Sequence, residues 1–426
     1  MKTEKLSGIL IFISFLITIY SYFFSNEVFI FAGIASWTAF ILLFRATGNA
    51  KLLISLLVLS FLAFLYSYFN DFKIEYAKSI LVNQYMLTLL IGVGFLRLIA
   101  TPKQEKVKSL PSGKQSFFKT YLGVHLFGSV INLSSLVLVA DKLYKKAPLT
   151  NTQIIVLSRA FSSDAYWSPF FVAFAATLTY APNLSTSTIL VGGLLLAIIG
   201  FFITYLEVTK KYEIEEFRGY PMQFDTLYLP FLLALLVLFE NHYYPELKVI
   251  LVISLFSILL TIFILPFKVG VKKAITKFSS HIFDELPRMK NELALFLVAG
   301  IFGVNISSIL LGLDVSFPFD KFDGFAASIV LLIMILLSFI GIHPIISIAI
   351  IGSWVDDLNH TLLAATFLMS WAAGISGSPF SGLGLTMQSR YKIKAMDLFK
   401  INIPYTIKMY FVCVIILFIL SNYLGL

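Results

Sequence analysis

Runs of about 20 apolar residues recur from one end of the chain to the other, and no other feature restricts its fold so tightly. A bilayer core about 30 Å thick is crossed by ~20 residues of helix. Inside it every backbone donor and acceptor must be satisfied within the structure, which leaves helices or a closed barrel. The strand alternation of a barrel is missing. Uninterrupted runs fall at 6–24, 28–44, 51–69, 79–99, 184–207, 224–240, 248–267, 292–312 and 402–422. With hydrophobic residues at 58% and charged residues at 13% of 426, a soluble domain is excluded. The fold class expected is an all-α integral membrane protein. The first run, Leu6 to Phe24, follows lysines but no cleavage site of small residues follows it, so it is expected to stay as a span. Cys413 is the sole cysteine, which rules out an internal disulfide.

Four further apolar regions are interrupted. Phe117 to Ala140 is broken by GSVINLSS, Asn151 to Ala181 by SSDAYWSP, Phe325 to Trp354 by IHP, and Leu362 to Met387 by SGSPFSG. At the third, Pro344 removes a donor and clashes with the carbonyl four residues back. A helix entering from Phe325 should therefore stop near Ile342, and a new one can start at Pro344. A break of this kind survives at membrane depth only where protein or a wet cavity surrounds it.

Basic residues set the sides of the membrane. Lys103, Lys106, Lys108 and Lys114 share one loop, Lys268, Lys272, Lys273, Lys277, Arg288 and Lys290 another, and Arg390, Lys392, Lys394 and Lys400 a third. These loops are assigned to the cytoplasm. The loops with Asp314, Asp320 and Asp323, and with Asp356 and Asp357, are assigned outside. From an inside N-terminus, this fits only if the region of 117–146 enters and leaves on the cytoplasmic side and the region of 325–355 on the outer side. The count is then about 11 transmembrane helices plus two re-entrant hairpins, with the C-terminus outside, in the cytoplasmic (inner) membrane.

Ser168-Pro169-Phe170 recurs as Ser378-Pro379-Phe380, an offset of 378 − 168 = 210 residues. The same offset brings the Asn132–Ser135 break onto Ile342–Ile345 and LLIGVG at Leu89 close to VAGIFG at Val298. It also carries the basic loop at 101–118 onto an acidic one at 311–328, so equivalent elements face opposite sides. Two halves of inverted topology, each with a hairpin and a broken span, are a recurrent plan of secondary transporters, whose site lies near the midplane.

This order of four spans, hairpin, broken span, four spans, hairpin, broken span and final span resembles the ion transporter superfamily, typified by the divalent anion/sodium symporters. The hairpin tips depart from that family's Ser-Asn-Thr signature: the first reads Asn132-Leu133-Ser134-Ser135 and the second Ile342-His343-Pro344. The resemblance implies an elevator-type carrier, usually a homodimer. Scaffold helices would lie in 1–78, 184–291 and 401–426. The carrying halves would be 79–183, with its broken span at 151–181, and 292–400, with its broken span at 361–387.

The chemistry-bearing residues cluster at the breaks. Asn132, Ser134, Ser162, Ser163 and Asp164 make the hard-oxygen set that suits a sodium ion, or else they satisfy backbone left open by the interruptions. Asp164 stands out because an intramembrane carboxylate is costly, and it is also a candidate for proton coupling. Arg159 lies roughly 13 Å into its half-span at 1.5 Å per residue. It would either pair with Asp164 or offer a two-pronged donor to a substrate carboxylate. Asn132, Ser134, Ser135, Arg159, Ser376, Ser378, Ser381 and His343 are the candidate substrate contacts. His343 is also a candidate proton carrier, because histidine titrates near neutrality. His125, in the apolar arm of the first hairpin, has a weaker claim, and Asn305 is expected to bond across helices.

Neither a Walker loop nor a dinucleotide fingerprint occurs, which argues against ATP-driven pumping within this chain. KKYEIEEFRGYP reads as a charged connector between halves, and KKAITKFSSHIFDELPRMK as an amphipathic helix at the inner surface. The leading expectation is a secondary active transporter, not an enzyme, moving a small organic anion with sodium and/or protons. It would need no cofactor beyond the ion, and its partners would be the anionic substrate and membrane lipid, with no nucleic acid. A cation/proton antiporter or an inorganic oxyanion exporter is the alternative. An intramembrane polymerase or ligase of lipid-linked sugars would call for a large outer loop bearing arginine or histidine, and the outer loops here are short and acidic.

Overall fold

The computed structural model describes residues 2–48, 50–100, 110–220, 228–244, 246–355 and 358–426. Lys103, Lys106, Lys108, Asp356 and Asp357, on which part of the sidedness argument rested, lie outside the described residues.

The chain is a multi-pass helical membrane protein. It opens with α1 (Lys2–Phe23), α2 (Phe29–Leu43) and α3 (Ala50–Phe69), followed by α4 (Tyr76–Leu81) and α5 (Gln84–Ala100). The sequence suggested one span over 79–99, but it is divided at Val82 and Asn83. Trp37 donates its indole N–H to the freed Ile80 carbonyl at 3.2 Å, and Asn83 Nδ2 donates to the Phe296 carbonyl at 2.6 Å. The first hairpin is α6 (Lys114–Ile131) and α7 (Leu133–Tyr144), and the interrupted span after it is α8 (Asn151–Ser162) and α9 (Val172–Tyr180). Then come α10 (Thr186–Lys211), α11 (Tyr228–Tyr243), α12 (Val249–Val269) and the short α13 (Val271–Ser280). The second half repeats the order: α14 (Lys290–Gly312), hairpin α15 (Gly324–Phe339) and α16 (Pro344–Trp354), interrupted span α17 (His360–Gly377) and α18 (Gly382–Tyr391), and α19 (Ala395–Tyr423). The last helix starts seven residues before the expected 402, at Ala395, and keeps Pro404 inside it.

Among the described residues, nine helical runs are long and apolar enough to cross a membrane. The other two expected spans are α11, of 16 residues, and the interrupted α8–α9.

The second hairpin turns for a reason beyond proline. α15 ends at Phe339, three residues before Ile342. Gly341 adopts φ +98°, and the Ile342 N–H donates to the Leu337 carbonyl while the Gly341 N–H donates to Ser338. That is a Schellman cap, open to glycine because it lacks a Cβ. Pro344 then begins α16 as its first residue, as expected.

The halves exchange partners. α12 packs on α5, with Gly92 against the Ser254 backbone, and α3 packs on α14, where Asn305 Nδ2 donates to the Ser60 hydroxyl at 2.9 Å. The interrupted helices touch: α17 packs on α8, α9 and the short turn between them. They also run antiparallel. At one end, just after α9, the Asn183 N–H donates to His360 at the start of α17, at 3.0 Å, and Ser185 N–H to Thr361 Oγ1 at 2.9 Å. At the other, Tyr391 at the end of α18 donates its hydroxyl to Asp141 in α7 at 2.8 Å. Antiparallel breaks in contact are the relation that two inverted halves require.

Candidate functional site

Each break is tied to its hairpin by the same bond. Ser168 Oγ donates to the Ser129 carbonyl in the last turn of α6 at 2.6 Å, and Ser378 Oγ donates to the Ser338 carbonyl in the last turn of α15, also at 2.6 Å. Both hydroxyls in turn accept the N–H two residues on, from Phe170 at 3.3 Å and Phe380 at 3.1 Å. The proline between serine and phenylalanine carries no N–H, so the local turn closes on the side chain and leaves the hydroxyl hydrogen for the hairpin.

At the first break, Asp164 has a side chain with no exposed surface. Its Oδ1 lies 2.8 Å from His125 Nδ1, yet this contact is not a well-aligned hydrogen bond, since neither carboxylate oxygen has a partner of good angle. The same Nδ1 is 2.9 Å from Ser163 Oγ and 3.2 Å from the Ala160 carbonyl, so its N–H is shared among acceptors. Trp167 Nε1–H donates to His125 Nε2 at 3.2 Å. An indole nitrogen can only donate, so Nε2 accepts and the imidazole hydrogen belongs on Nδ1, facing the carboxylate. The other oxygen, Oδ2, sits against Gly128, at the place a Cβ would occupy, with Ser135 Oγ 3.1 Å from that same place.

The first hairpin tip supplies further oxygen. Asn132 adopts φ +51° with ψ −141°, outside the left-handed helical region in which asparagine is commonly accommodated. Its Nδ2 reaches the Phe170 carbonyl at 3.5 Å, and its buried Oδ1 has no hydrogen-bond partner. Asp164, Ser135 and Asn132 thus present acceptor oxygens on one hairpin and one break. Ser134 is half-buried on the same tip. Ser162 and Ser163 spend their hydroxyl hydrogens on carbonyls of their own helix, Arg159 at 3.2 Å and Ala160 at 2.8 Å, though each oxygen retains lone pairs.

Arg159 is placed differently from either expectation. It is fully buried, and it does not pair with Asp164. Nη1 and Nη2 donate to the two carboxylate oxygens of Glu207 in α10 at 3.2 and 3.4 Å, Nε donates to Asn402 Oδ1 in α19 at 3.1 Å, and Nη2 also reaches the Ile401 carbonyl at 3.3 Å. Its guanidinium carbon lies 4.4 Å from the Tyr405 ring centre. The planar fork that was expected to meet a substrate instead fastens α8 to α10 and α19. Glu207 was not foreseen because it closes a long apolar run whose last turn also holds Lys210 and Lys211, and there it reads as a boundary residue.

At the second break, His343 caps α16, its Nδ1 accepting the Ile345 N–H at 3.2 Å. With Nδ1 an acceptor, the hydrogen of the neutral ring belongs on Nε2. The ring stands edge-on to Trp371, with centres 5.2 Å apart. A cavity of about 30 Å³ lies here, lined by His343, Trp371, Ser378, Phe380, Ser381 and Gly382 among others, which is room for ordered water. Ser381 caps α18 through the Gly384 N–H at 3.1 Å, and space beside Gly382 is open. Ser376 is spent locally, bonding carbonyls of its own helix at 3.2 and 3.3 Å. Of the residues the sequence singled out here, His343, Ser378 and Ser381 are brought together and Ser376 is not.

Sequence reasoning gave His125 too little weight and passed over Gly128, Trp167, Trp371 and Asn402. Gly128 and Trp167 left a signal, in the GSVINLSS and SSDAYWSP interruptions.

No protein-family model matches the chain, and no curated protein matches it. Among solved structures it is similar to the YdaH transporter of Alcanivorax borkumensis, described as having an unusual topology, at 13% identity and a TM-score of 0.48, over 80% of this chain and 85% of that one. A likeness of that degree carries no argument about this chain.

Proposed function

We propose that the chain is a secondary active transporter moving a small organic anion across the cytoplasmic membrane, coupled to sodium and/or protons, by an elevator motion of the hairpins and broken helices against the remaining spans. The observation that carries this reading is the pair of equivalent serine bonds, Ser168 to Ser129 and Ser378 to Ser338, at 2.6 Å each. They join each hairpin to its break, and the breaks lie in contact, so the four elements are suited to move together. Half-helix starts meeting at such breaks favour a negatively charged group.

The coupling ion in this reading binds at the first break. Asp164 Oδ2, Asn132 Oδ1 and Ser135 Oγ are the oxygens that would hold sodium, and Asp164 is the group that would take a proton in its place. The anion's place is the second break, where His343 Nε2–H and the start of α18 are the available donors. The small volume there matches a closed state that must open before cargo enters.

The bonding of Arg159 to Glu207 favours a second reading, a cation/proton antiporter, because it leaves the anion without an arginine. A thermal-shift screen separates the two, since only binding to the native state raises apparent stability. Small carboxylates, inorganic oxyanions and sodium are tested at several pH values, with choline chloride as the salt control. Stabilisation by a carboxylate that disappears on His343→Gln supports the first reading. Response to sodium and pH with indifference to every anion supports the second, and indifference to all of them removes both.

A further inference from the structure

The segment after α12 carries an apolar edge and a lysine edge with nothing in the described structure to cover either. Gly270, at φ +84°, ends α12 and redirects the chain into α13. Because α13 continues directly from a membrane-crossing helix, it lies at the membrane boundary. Within its ten residues, Val271, Ala274, Ile275 and Phe278 recur at the spacing of one helical face. Half of that face is used: Ala274 is buried, and Phe278 packs on Phe95 and Phe12, with ring centres 4.7 and 6.2 Å apart. The other half is bare, with Val271 65% and Ile275 63% exposed, and Phe267 just before the turn is 91% exposed. Lys272, Lys273 and Lys277 are exposed around this edge and have no ion-pair partner among the described residues. Acidic residues are absent from Leu265 through Phe283; beyond them Asp284 accepts the Ser280 hydroxyl at 2.8 Å and Glu285 is paired with Arg288 at 2.7 Å.

We propose that α13 is a binding surface for anionic phospholipid headgroups of the leaflet it faces, which is the cytoplasmic one by the lysine rule. Val271, Ile275 and Phe267 seat in the acyl boundary while the three lysines hold headgroup phosphates. This is the arrangement in which an amphipathic helix lies in the interface plane, and basic side chains there are drawn to the negative surface of that leaflet. The inner side of α13 and the turn after it are wedged into the bundle. His281 is buried with its ring centre 4.3 Å from that of Phe95 in α5, and Gly8 of α1 takes the Ile282 carbonyl against it. Lipid held by α13 would therefore bear on α5, which in turn packs on α6 and α9. The inference rests on the membrane fold alone and stands whether the cargo is an anion or a cation.

The test uses the full chain with Ile275→Cys in a Cys413→Ser background, labelled with an environment-sensitive fluorophore and reconstituted in vesicles of mixed phosphatidylcholine and phosphatidylglycerol. Either one lipid or the other is brominated. The expected result is that brominated phosphatidylglycerol quenches well beyond its mole fraction. With each lysine near the surface contributing at most about a fivefold preference, Lys272→Gln, Lys273→Gln and Lys277→Gln together should return quenching to the bulk ratio. Raising salt from about 0.1 M to about 1 M, which shortens the screening length from about 10 Å to about 3 Å, should do the same without any substitution. Quenching in proportion to mole fraction in the unsubstituted lysine background overturns the proposal, as does a preference that survives both the substitutions and the salt. Absence of quenching by either lipid overturns the interfacial placement itself.

Discussion

Trp167 donates its indole hydrogen to Nε2 of His125 at 3.2 Å and so decides which imidazole nitrogen faces Asp164. His125 is thereby a fixed donor toward the carboxylate. Trp167→Phe removes the donor and keeps most of the ring, so the expected stability loss is that of one hydrogen bond, about 1 kcal/mol. The effect on ion binding should be larger in proportion: with the imidazole free to present either nitrogen, the sodium-dependent rise in melting temperature should shrink. A melting series in sodium against choline checks this. A Trp167→Phe protein with the full sodium response would remove the orienting role of the indole.

Arg159 and Glu207 form a buried pair whose members are unequally supported. Glu207 also meets Lys211 at 3.2 Å and Lys408 at 3.7 Å, both with side chains more than half exposed. Removing one partner of a buried pair costs about 3–5 kcal/mol because a charge is left without compensation. Glu207→Gln strands a fully buried guanidinium and should show the full loss. Arg159→Met leaves Glu207 its two lysines and should be milder, even with the Asn402 bond gone. Melting temperatures of the two variants and of the double variant give the order, and Arg159→Met proving the worse would overturn it.

Gly128 is a glycine because Asp164 Oδ2 occupies the position of its missing Cβ. Gly128→Ala should displace the carboxylate and abolish the sodium response. Gly192 has nothing within 4 Å of that position, so Gly192→Ala in α10 should be neutral or stabilising by roughly 0.5–1 kcal/mol, the helix preference of alanine over glycine. Equal sodium response in both variants would show that the Gly128 contact has no part in binding.

How far the sequence reveals this molecule depends on the range of the interaction concerned. The hairpins, both interrupted spans and the start of α16 at Pro344 were legible, because proline, glycine and apolar run length act within a few residues. The end of α15 was misplaced by three residues, since the stop was attributed to Pro344 whereas the Schellman cap at Gly341, with Ile342 N–H on the Leu337 carbonyl, ends the helix earlier. The candidate site was legible as a set of residue types and not as a set of partners. Arg159 finds Glu207, 48 residues away in sequence, and Asn402, 243 away, where the nearest acid in sequence was Asp164. In a helical bundle neighbours across helices follow no local period, so nothing in the spacing could reveal them.

The two serine bonds that resemble each other most should not cost the same to break. Ser338 keeps a second donor, because its carbonyl also accepts the Gly341 N–H at 3.2 Å within the cap of α15. Among the described residues no backbone N–H outside the helix reaches the Ser129 carbonyl, so the Ser168 hydroxyl is its partner in the turn. Losing one of two donors should cost about 1 kcal/mol, whereas an acceptor left buried and unmet costs about 1–3 kcal/mol. Ser168→Ala is therefore expected to lower the melting temperature more than Ser378→Ala, and Ser168→Thr, which keeps the hydroxyl, should recover part of the difference. Because each bond also joins a hairpin to its broken helix, both alanine variants should slow uptake in reconstituted vesicles once a cargo is identified. Equal thermal losses would show that the Ser129 carbonyl has found another donor, and unchanged uptake in both variants would separate these bonds from the transport motion.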